Sequence, residues 1–256
     1  MSTWSPDQYL KFEDQRTRPA IDLLGRVVAN IVESVTDIGC GPGNSTELLI
    51  DRFGSAAIAG MDSSPKMVEA AKKRLPDCDF QLGDIAQWQP KVPQDLLFAN
   101  AVLQWVPNHH ELFPKLLSFL KPGGTLALQM PDNLDEPTHV GMRTVAGDKR
   151  WSDALKDADG ERTSILSVSD YWSILKPHAS SVDVWRTTYY HPLRGLNGIV
   201  EWFKGTGLLP YLSRLNEAQQ AEYLASYEEE LSKHYTVMDD DTMLLPFPRL
   251  FIVVRR

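Results

Sequence analysis

From residue 31 to 131, short apolar runs alternate with stretches whose apolar positions recur at helical spacing. The runs at 35–38, 56–61, 78–82, 96–100 and 125–130 are too short for helices and read as buried strands. Between them, Met67, Ala70, Ala71 and Leu75 mark the inner side of one helix, opened by Ser63-Ser64-Pro65 and ending at Arg74. Leu112, Leu116 and Leu120 mark another at intervals of four, with Phe113 and Leu117 beside them. A shorter helix is predicted over 47–53, closed by Gly54. Strand–helix alternation with short connections predicts an α/β fold, a parallel sheet covered by helices on both faces.

The flanking regions follow other patterns. Before the first strand, Tyr9, Leu10, Phe12, Ile21, Leu23 and Leu24 suit one or two amphipathic helices. The Arg16-Thr17-Arg18-Pro19 stretch between them reads as a charged turn before a helix opened by Pro19. Over 132–180 the alternation stops, and Met142, Val145, Trp151, Leu155, Tyr171, Trp172 and Leu175 sit in charged helical stretches. That segment reads as a helical insertion over the carboxyl edge of the sheet. Val182, Val184 and 187–190 predict a sixth strand, 195–235 is mostly helical, and 250–254 is a final apolar strand. One domain over 1–256 is expected, with a ligand-binding core at 31–131 and the insertion at 132–180.

Composition narrows the function. With 43% apolar residues the chain can bury a sizeable core, and its net charge of −8 argues against nucleic acid, which is held through Lys and Arg on phosphates. Two cysteines give neither a disulfide framework nor zinc spacing, so no metal site is expected. The opening residues lack the basic and apolar regions of a signal peptide, and no apolar run approaches a membrane span. A cytoplasmic location with no membrane partner and no protein partner is expected.

The chemistry concentrates at predicted strand ends, where open α/β sheets bind ligands. Gly39, Gly41 and Gly43 follow the first strand; glycine lets the backbone turn sharply and approach a ligand. Ser45 and Thr46 are helix-start residues, and a helix start presents free N–H groups. Asn44 stands where a G-x-G-x-x-G fingerprint needs glycine, which counts against a nicotinamide dehydrogenase. Asp62 lies 23 residues after Gly39, near the spacing of an acid that takes a ribose diol. Asp84 can accept from an exocyclic amine, and the Ile85 backbone can meet a ring nitrogen. Each acid alone reads as a cap or turn former; their order at successive strand ends does not.

The stretches DIGCGPGNST (37–46), GMDSSPKMV (60–68), LGDI (82–85), FANAVLQWVPNH (98–109) and LKPGGTLALQM (120–130) resemble, in order and spacing, the class I S-adenosylmethionine-dependent methyltransferases. The resemblance implies a Rossmann-like sheet of seven strands with the last antiparallel, and S-adenosylmethionine as cofactor, with S-adenosylhomocysteine as product. It implies that Gly39, Gly41 and Gly43 pass the methionine part and that Asp62 holds the ribose, with Asn44 and Ser63 among the cofactor-binding residues. Asp84 and Ile85 would hold the adenine, and Asn100 and Ala101 the methionyl end; Trp105, a large aromatic, either packs beside the cofactor or fills the core. The Tyr9–Phe12 opening, the 16–19 stretch, 100–107 and the ending 245–250 further resemble the trans-aconitate 2-methyltransferase subfamily, which implies a small polycarboxylate substrate. An ionised carboxylate is already nucleophilic, so no catalytic residue is expected. Cations that grip the other carboxylates are, and arginine's planar fork suits them. Arg16 and Arg18 lead, Tyr9 and Phe12 could wall the pocket, and Arg143, Arg186 and Arg194 are weaker candidates. His109 and His110 are expected at the surface or as caps. Within the fold the rivals are methylation of a malonyl group on a carrier protein or of a quinone-type lipid; outside it, a non-catalytic cofactor-binding regulator.

Overall fold

Seven strands form one sheet in the order β3-β2-β1-β4-β5-β7-β6. They are β1 (Ser34–Ile38), β2 (Ala57–Asp62), β3 (Asp79–Leu82), β4 (Gln94–Asn100), β5 (Leu120–Pro131), β6 (Ser181–Arg194) and β7 (Thr242–Arg255). The computed structural model describes residues 13–28, 31–161 and 164–256, without the side chains at 13, 14, 16 and 161. The strands β1 to β5 pair in parallel. β7 runs antiparallel to β5: the Gly123 N–H donates to the Arg256 carbonyl, and the Asp132 N–H to that of Pro248. It is antiparallel to β6 too, through Ser180 to Arg255 and Gly195 to Asp241.

Local chemistry explains most boundaries. Leu96, Leu97, Phe98 and Ala99 of β4 are all fully buried, as a strand covered on both faces requires. The helix Pro65–Arg74 starts with Pro65 in its first turn and Ser64 accepting from the Met67 N–H at 3.4 Å. The helix His109–Ser118 buries Leu112, Phe113, Leu116 and Leu117 in a cluster with Leu97, Leu126, Leu128 and Ile252. Each such side chain contributes about 1.5–3 kcal/mol on burial.

Four boundaries differ from the sequence reading. The helix expected over 47–53 begins at Asn44, directly after Gly43. Residues 16–19 form no turn: one helix, Glu13–Arg26, runs through Pro19. Pro19 forfeits one backbone hydrogen bond there. Ala20, Leu23 and Leu24 are buried on that helix, and Arg52 Nη2 donates to the Val27 carbonyl just past its end at 2.6 Å. β5 starts at Leu120, ahead of the run expected at 125–130, and takes in the Lys121–Gly124 stretch. β7 begins at Thr242 and not at 250, and so takes in Pro246 and Pro248. Its first half alternates buried Met243, Leu245 and Phe247 with exposed Leu244 and partly exposed Pro246 and Pro248.

The chain divides into two units. One runs to Pro131 and takes in Ile165–Thr187 and Leu250–Arg256; it contains β1 to β5. The other comprises Asp132–Ser164 and Thr188–Arg249 among the described residues. Inside it, Tyr223 and Tyr227 of the helix Glu217–Ser232 donate to the Met142 and Thr138 carbonyls of the helix Pro137–Ala146. No helix among the described residues is long and apolar enough to cross a membrane.

Candidate functional site

The turn after β1 is built around backbone that only glycine adopts comfortably. Gly39 has φ +70°, and a methyl group there would lie 2.2 Å from a Val102 methyl carbon. Gly41 has φ +55°, and a side chain there would enter open space, so the loop leaves a cradle a ligand can occupy. The Gly39 and Cys40 N–H groups both donate to the Met61 carbonyl, tying the loop to the end of β2.

Asp62, the last residue of β2, completes that tie. Its Oδ2 accepts from the Gly41 N–H at 3.0 Å and its Oδ1 from the Ser64 N–H at 2.8 Å. Burial pushes its carboxyl above the ordinary carboxylate range, against the pull of the Ser64, Gly41 and Ser63 N–H groups. Each carboxylate oxygen still has a second lone pair for a hydroxyl donor. Ser63 itself is exposed beside it.

Beyond β3, Asp84 is exposed and its Oδ1 accepts from the Ala86 N–H at 2.9 Å, the turn-forming role an aspartate takes after a strand. Ile85 next to it is buried. At the end of β4, Asn100 is partly exposed and Ala101 has φ +55°. The Ala101 N–H donates to the Gln129 carbonyl at 3.0 Å, and its own carbonyl accepts from Gln104 Nε2 at 2.7 Å. Trp105 ends the short 3-10 turn Leu103–Trp105 and is partly buried.

Sequence reasoning left Asp37 out of the candidate set. It is fully buried on β1, and its Oδ2 accepts from Ser45 at 2.7 Å and Thr46 at 2.6 Å. Its Oδ1 is buried with no partner among the described residues. Desolvation by burial pushes the carboxyl up to about 6, against the pull of the two hydroxyls. Its signal was the acid two residues ahead of the first glycine. Ser45 and Thr46, read as helix-start residues, turn their hydroxyls back onto it and join the helix Asn44–Phe53. Asn44 is buried at that helix's first position.

The expected surface histidine is a second correction. His109 is buried, with Nε2 2.8 Å from the Leu103 carbonyl and Nδ1 2.7 Å from the Tyr171 hydroxyl. A carbonyl only accepts, so Nε2 carries the proton and Nδ1 accepts from tyrosine. Burial pushes this imidazole toward the neutral form.

Among the substrate candidates, Tyr9 and Phe12 lie outside the described residues, as does the Arg16 side chain. Arg18 is exposed on the helix Glu13–Arg26. In the other unit, Arg143 donates from Nη2 to the Leu134 carbonyl at 2.7 Å and lies 3.9 Å from Asp159, which also accepts from the Tyr211 hydroxyl. Arg186 is exposed, and Arg194 is exposed beside Asp241. Among the described residues no group of His, Cys, Asp and Glu is placed to hold a metal ion.

A family model described as a methyltransferase domain matches residues 35–124. The trans-aconitate 2-methyltransferase of Methylobacterium nodulans is 54% identical over 256 residues, 100% of this chain and 99% of its own. That of Yersinia pestis is 50% identical over 253 residues, 99% of this chain and 98% of its own. Among solved structures, the YcgJ protein of Bacillus subtilis matches with a TM-score of 0.60 at 13% identity, covering 93% of this chain and 98% of that one. The phosphoethanolamine N-methyltransferase 2 of Haemonchus contortus, solved with S-adenosyl-L-methionine, matches with a TM-score of 0.56 at 15% identity, covering 93% of this chain and 52% of that one. At such identities these structures speak for the fold alone.

Proposed function

We propose that this chain, which belongs to the trans-aconitate 2-methyltransferase family of S-adenosylmethionine-dependent methyltransferases, forms the monomethyl ester of trans-aconitate or a related small polycarboxylate. The full-length likeness to the curated relatives carries this reading. The supporting geometry is the cradle at Gly39, Gly41 and Gly43 with Asp62 tied to it.

S-adenosylmethionine, when bound, supplies a methyl group already activated by its sulfonium. We assign Asp62 to the ribose hydroxyls, with Ser63 beside it, and the Asp84–Ile85 turn to the adenine. Asn44, Asn100, Ala101 and Trp105 are assigned to the methionine part. The open space at Gly41 and the unpartnered Asp37 Oδ1 fit such a guest: one admits its bulk, and the other offers an acceptor to its ammonium group. A carboxylate is ionised at neutral pH, so no side chain has to remove a proton from the nucleophile. The chain's task is orientation, and aligned reactants gain on the order of 7–11 kcal/mol of the barrier. Against a net charge of −8, local cations must draw a trianion in. Arg18 is assigned that role with Arg16, and Arg143 is the alternative.

Methyl-labelled S-adenosylmethionine incubated with the protein and a panel of trans-aconitate, cis-aconitate, citrate and isocitrate tests the reading. Label is expected in a base-labile ester of trans-aconitate, with slower transfer to the others. Bound S-adenosylhomocysteine with no label in any polycarboxylate would overturn the substrate assignment.

A further inference from the structure

Asn100 and Gln129 are direct partners in the β4–β5 register. Gln129 is fully buried, whereas Asn100 at the strand end is partly exposed. Gln129 acts on its neighbour twice. Its main-chain carbonyl accepts from the Ala101 N–H at 3.0 Å, and its Nε2 donates to Asn100 Oδ1 at 2.5 Å. Ala101 is held in the left-handed region from its other side as well, since its carbonyl accepts from buried Gln104.

An amide group is planar, with an acceptor on one arm and two donors on the other. With Oδ1 turned to Gln129, the arm facing away from β5 is Nδ2. Rotating the Asn100 amide half a turn against Gln129 as it stands would set N–H against N–H in a part-buried place, which leaves the buried Gln129 donor unsatisfied and is costly. The carboxyl ends of parallel strands are where such sheets bind ligands. The side chain at this strand end is thereby donor-only toward a ligand.

We propose that Gln129 is a positioning residue that locks the Asn100 amide with its Nδ2 donors toward the site, making this strand end a receptor for a carboxylate and not for an ammonium group. The inference rests on the methyl-transfer reading for the identity of the ligands. The carboxylate comes either from the polycarboxylate substrate or from the amino-acid tail of the cofactor.

Three variants test it, each measured for S-adenosylhomocysteine Kd and for trans-aconitate KM between pH 6 and 9. Asn100→Asp keeps an acceptor for Gln129 but turns an anionic oxygen toward the ligand. It should raise one of the two constants by about 10-fold or more, as losing a hydrogen bond to a charged group does. The constant that moves identifies which carboxylate is held. In Gln129→Glu the new carboxyl donates to Oδ1 while protonated; once ionised it accepts from Nδ2 and turns the amide around. That constant should therefore climb with pH in Gln129→Glu and stay level in the parent. Gln129→Met releases the amide without reversing it, so a small, pH-independent rise of about 3-fold or less is expected, the scale of one weakened hydrogen bond. A purely structural role for Gln129 would give the two Gln129 variants the same pH-independent loss, and that result overturns the inference. Unchanged constants in Asn100→Asp also overturn it, even if neither Gln129 variant folds. A parent enzyme that methylates no polycarboxylate defeats the functional reading instead, and the Kd arm still decides this one.

Discussion

Replacing Asp37 by Asn isolates the cost of ionising a carboxyl inside the core. The side chain is fully buried, and burial moves its ionisation from 3.8 to about 6. The direction of linkage follows. Below pH ~3.8 both folded and unfolded chains carry the proton, and the group costs nothing. Between there and 6 the unfolded chain releases the proton first, so this residue takes stability away as pH rises. Above 6 the penalty is complete, at about 1.4 kcal/mol per pH unit and so about 3 kcal/mol in all. Asparagine does not titrate. Its carbonyl can accept from Ser45 and Thr46, while its Nδ2 replaces the unpartnered Oδ1 and carries a pH-independent cost. The expected observable is therefore a change in the difference between the two proteins. Urea unfolding at constant ionic strength should show the variant gaining about 2.4 kcal/mol on the parent between pH 4 and pH 7, most of it before pH 6.5. A difference constant to within about 0.5 kcal/mol over that span would refute the claim that Asp37 ionises at a cost in the folded protein. The same variant is expected to bind S-adenosylhomocysteine more weakly, so stability and affinity move in opposite directions.

Asp62→Ala should weaken S-adenosylhomocysteine binding by roughly 1.5–3 kcal/mol in calorimetry, and unchanged affinity in folded protein would remove it from the site. Gly39→Ala forces a methyl group onto Val102 and a side chain into φ +70°, so the urea midpoint should drop by the equivalent of about 2–4 kcal/mol. A midpoint within experimental error of the parent would show that the loop has room the structure denies it. Arg18→Ala should raise KM for trans-aconitate and leave S-adenosylhomocysteine affinity nearly unchanged, with Arg18→Lys recovering only part because an ammonium lacks the fork. If steady-state kinetics show no change, the clamp must be sought at Arg143.

The parallel half of the fold was legible because its apolar runs are short and its punctuation strong: Gly39 to Gly43, Ser64-Pro65 and the Leu112–Leu120 repeat leave few alternatives. The beginning of β7 was not, because proline is a poor strand residue and the alternation of Met243, Leu245 and Phe247 is spread around two of them. The Glu13–Arg26 helix was obscured in the same way by Pro19. At the candidate site, the glycines and Asp62 carry a spacing that a reader of sequence can use. Asp37 carries only its place two residues ahead of Gly39, and Val102 and Gln129 carry no spacing at all, because their contacts join segments distant in sequence. Val102 limits Gly39 from 63 residues away, and Gln129 reaches Asn100 from 29 away. His109 shows the opposite limit, since a histidine at a helix start looks like a cap until its partners Leu103 and Tyr171 are seen.

A crystal structure of the protein with S-adenosylhomocysteine and trans-aconitate tests the central claim most directly. The ribose diol should lie within hydrogen-bond distance of both Asp62 oxygens, the amino-acid tail beside the 39–43 loop and the end of β4, and one substrate carboxylate oxygen about 3 Å from the place of the transferred methyl carbon. A cofactor bound elsewhere, or a ribose that does not touch Asp62, would contradict the account.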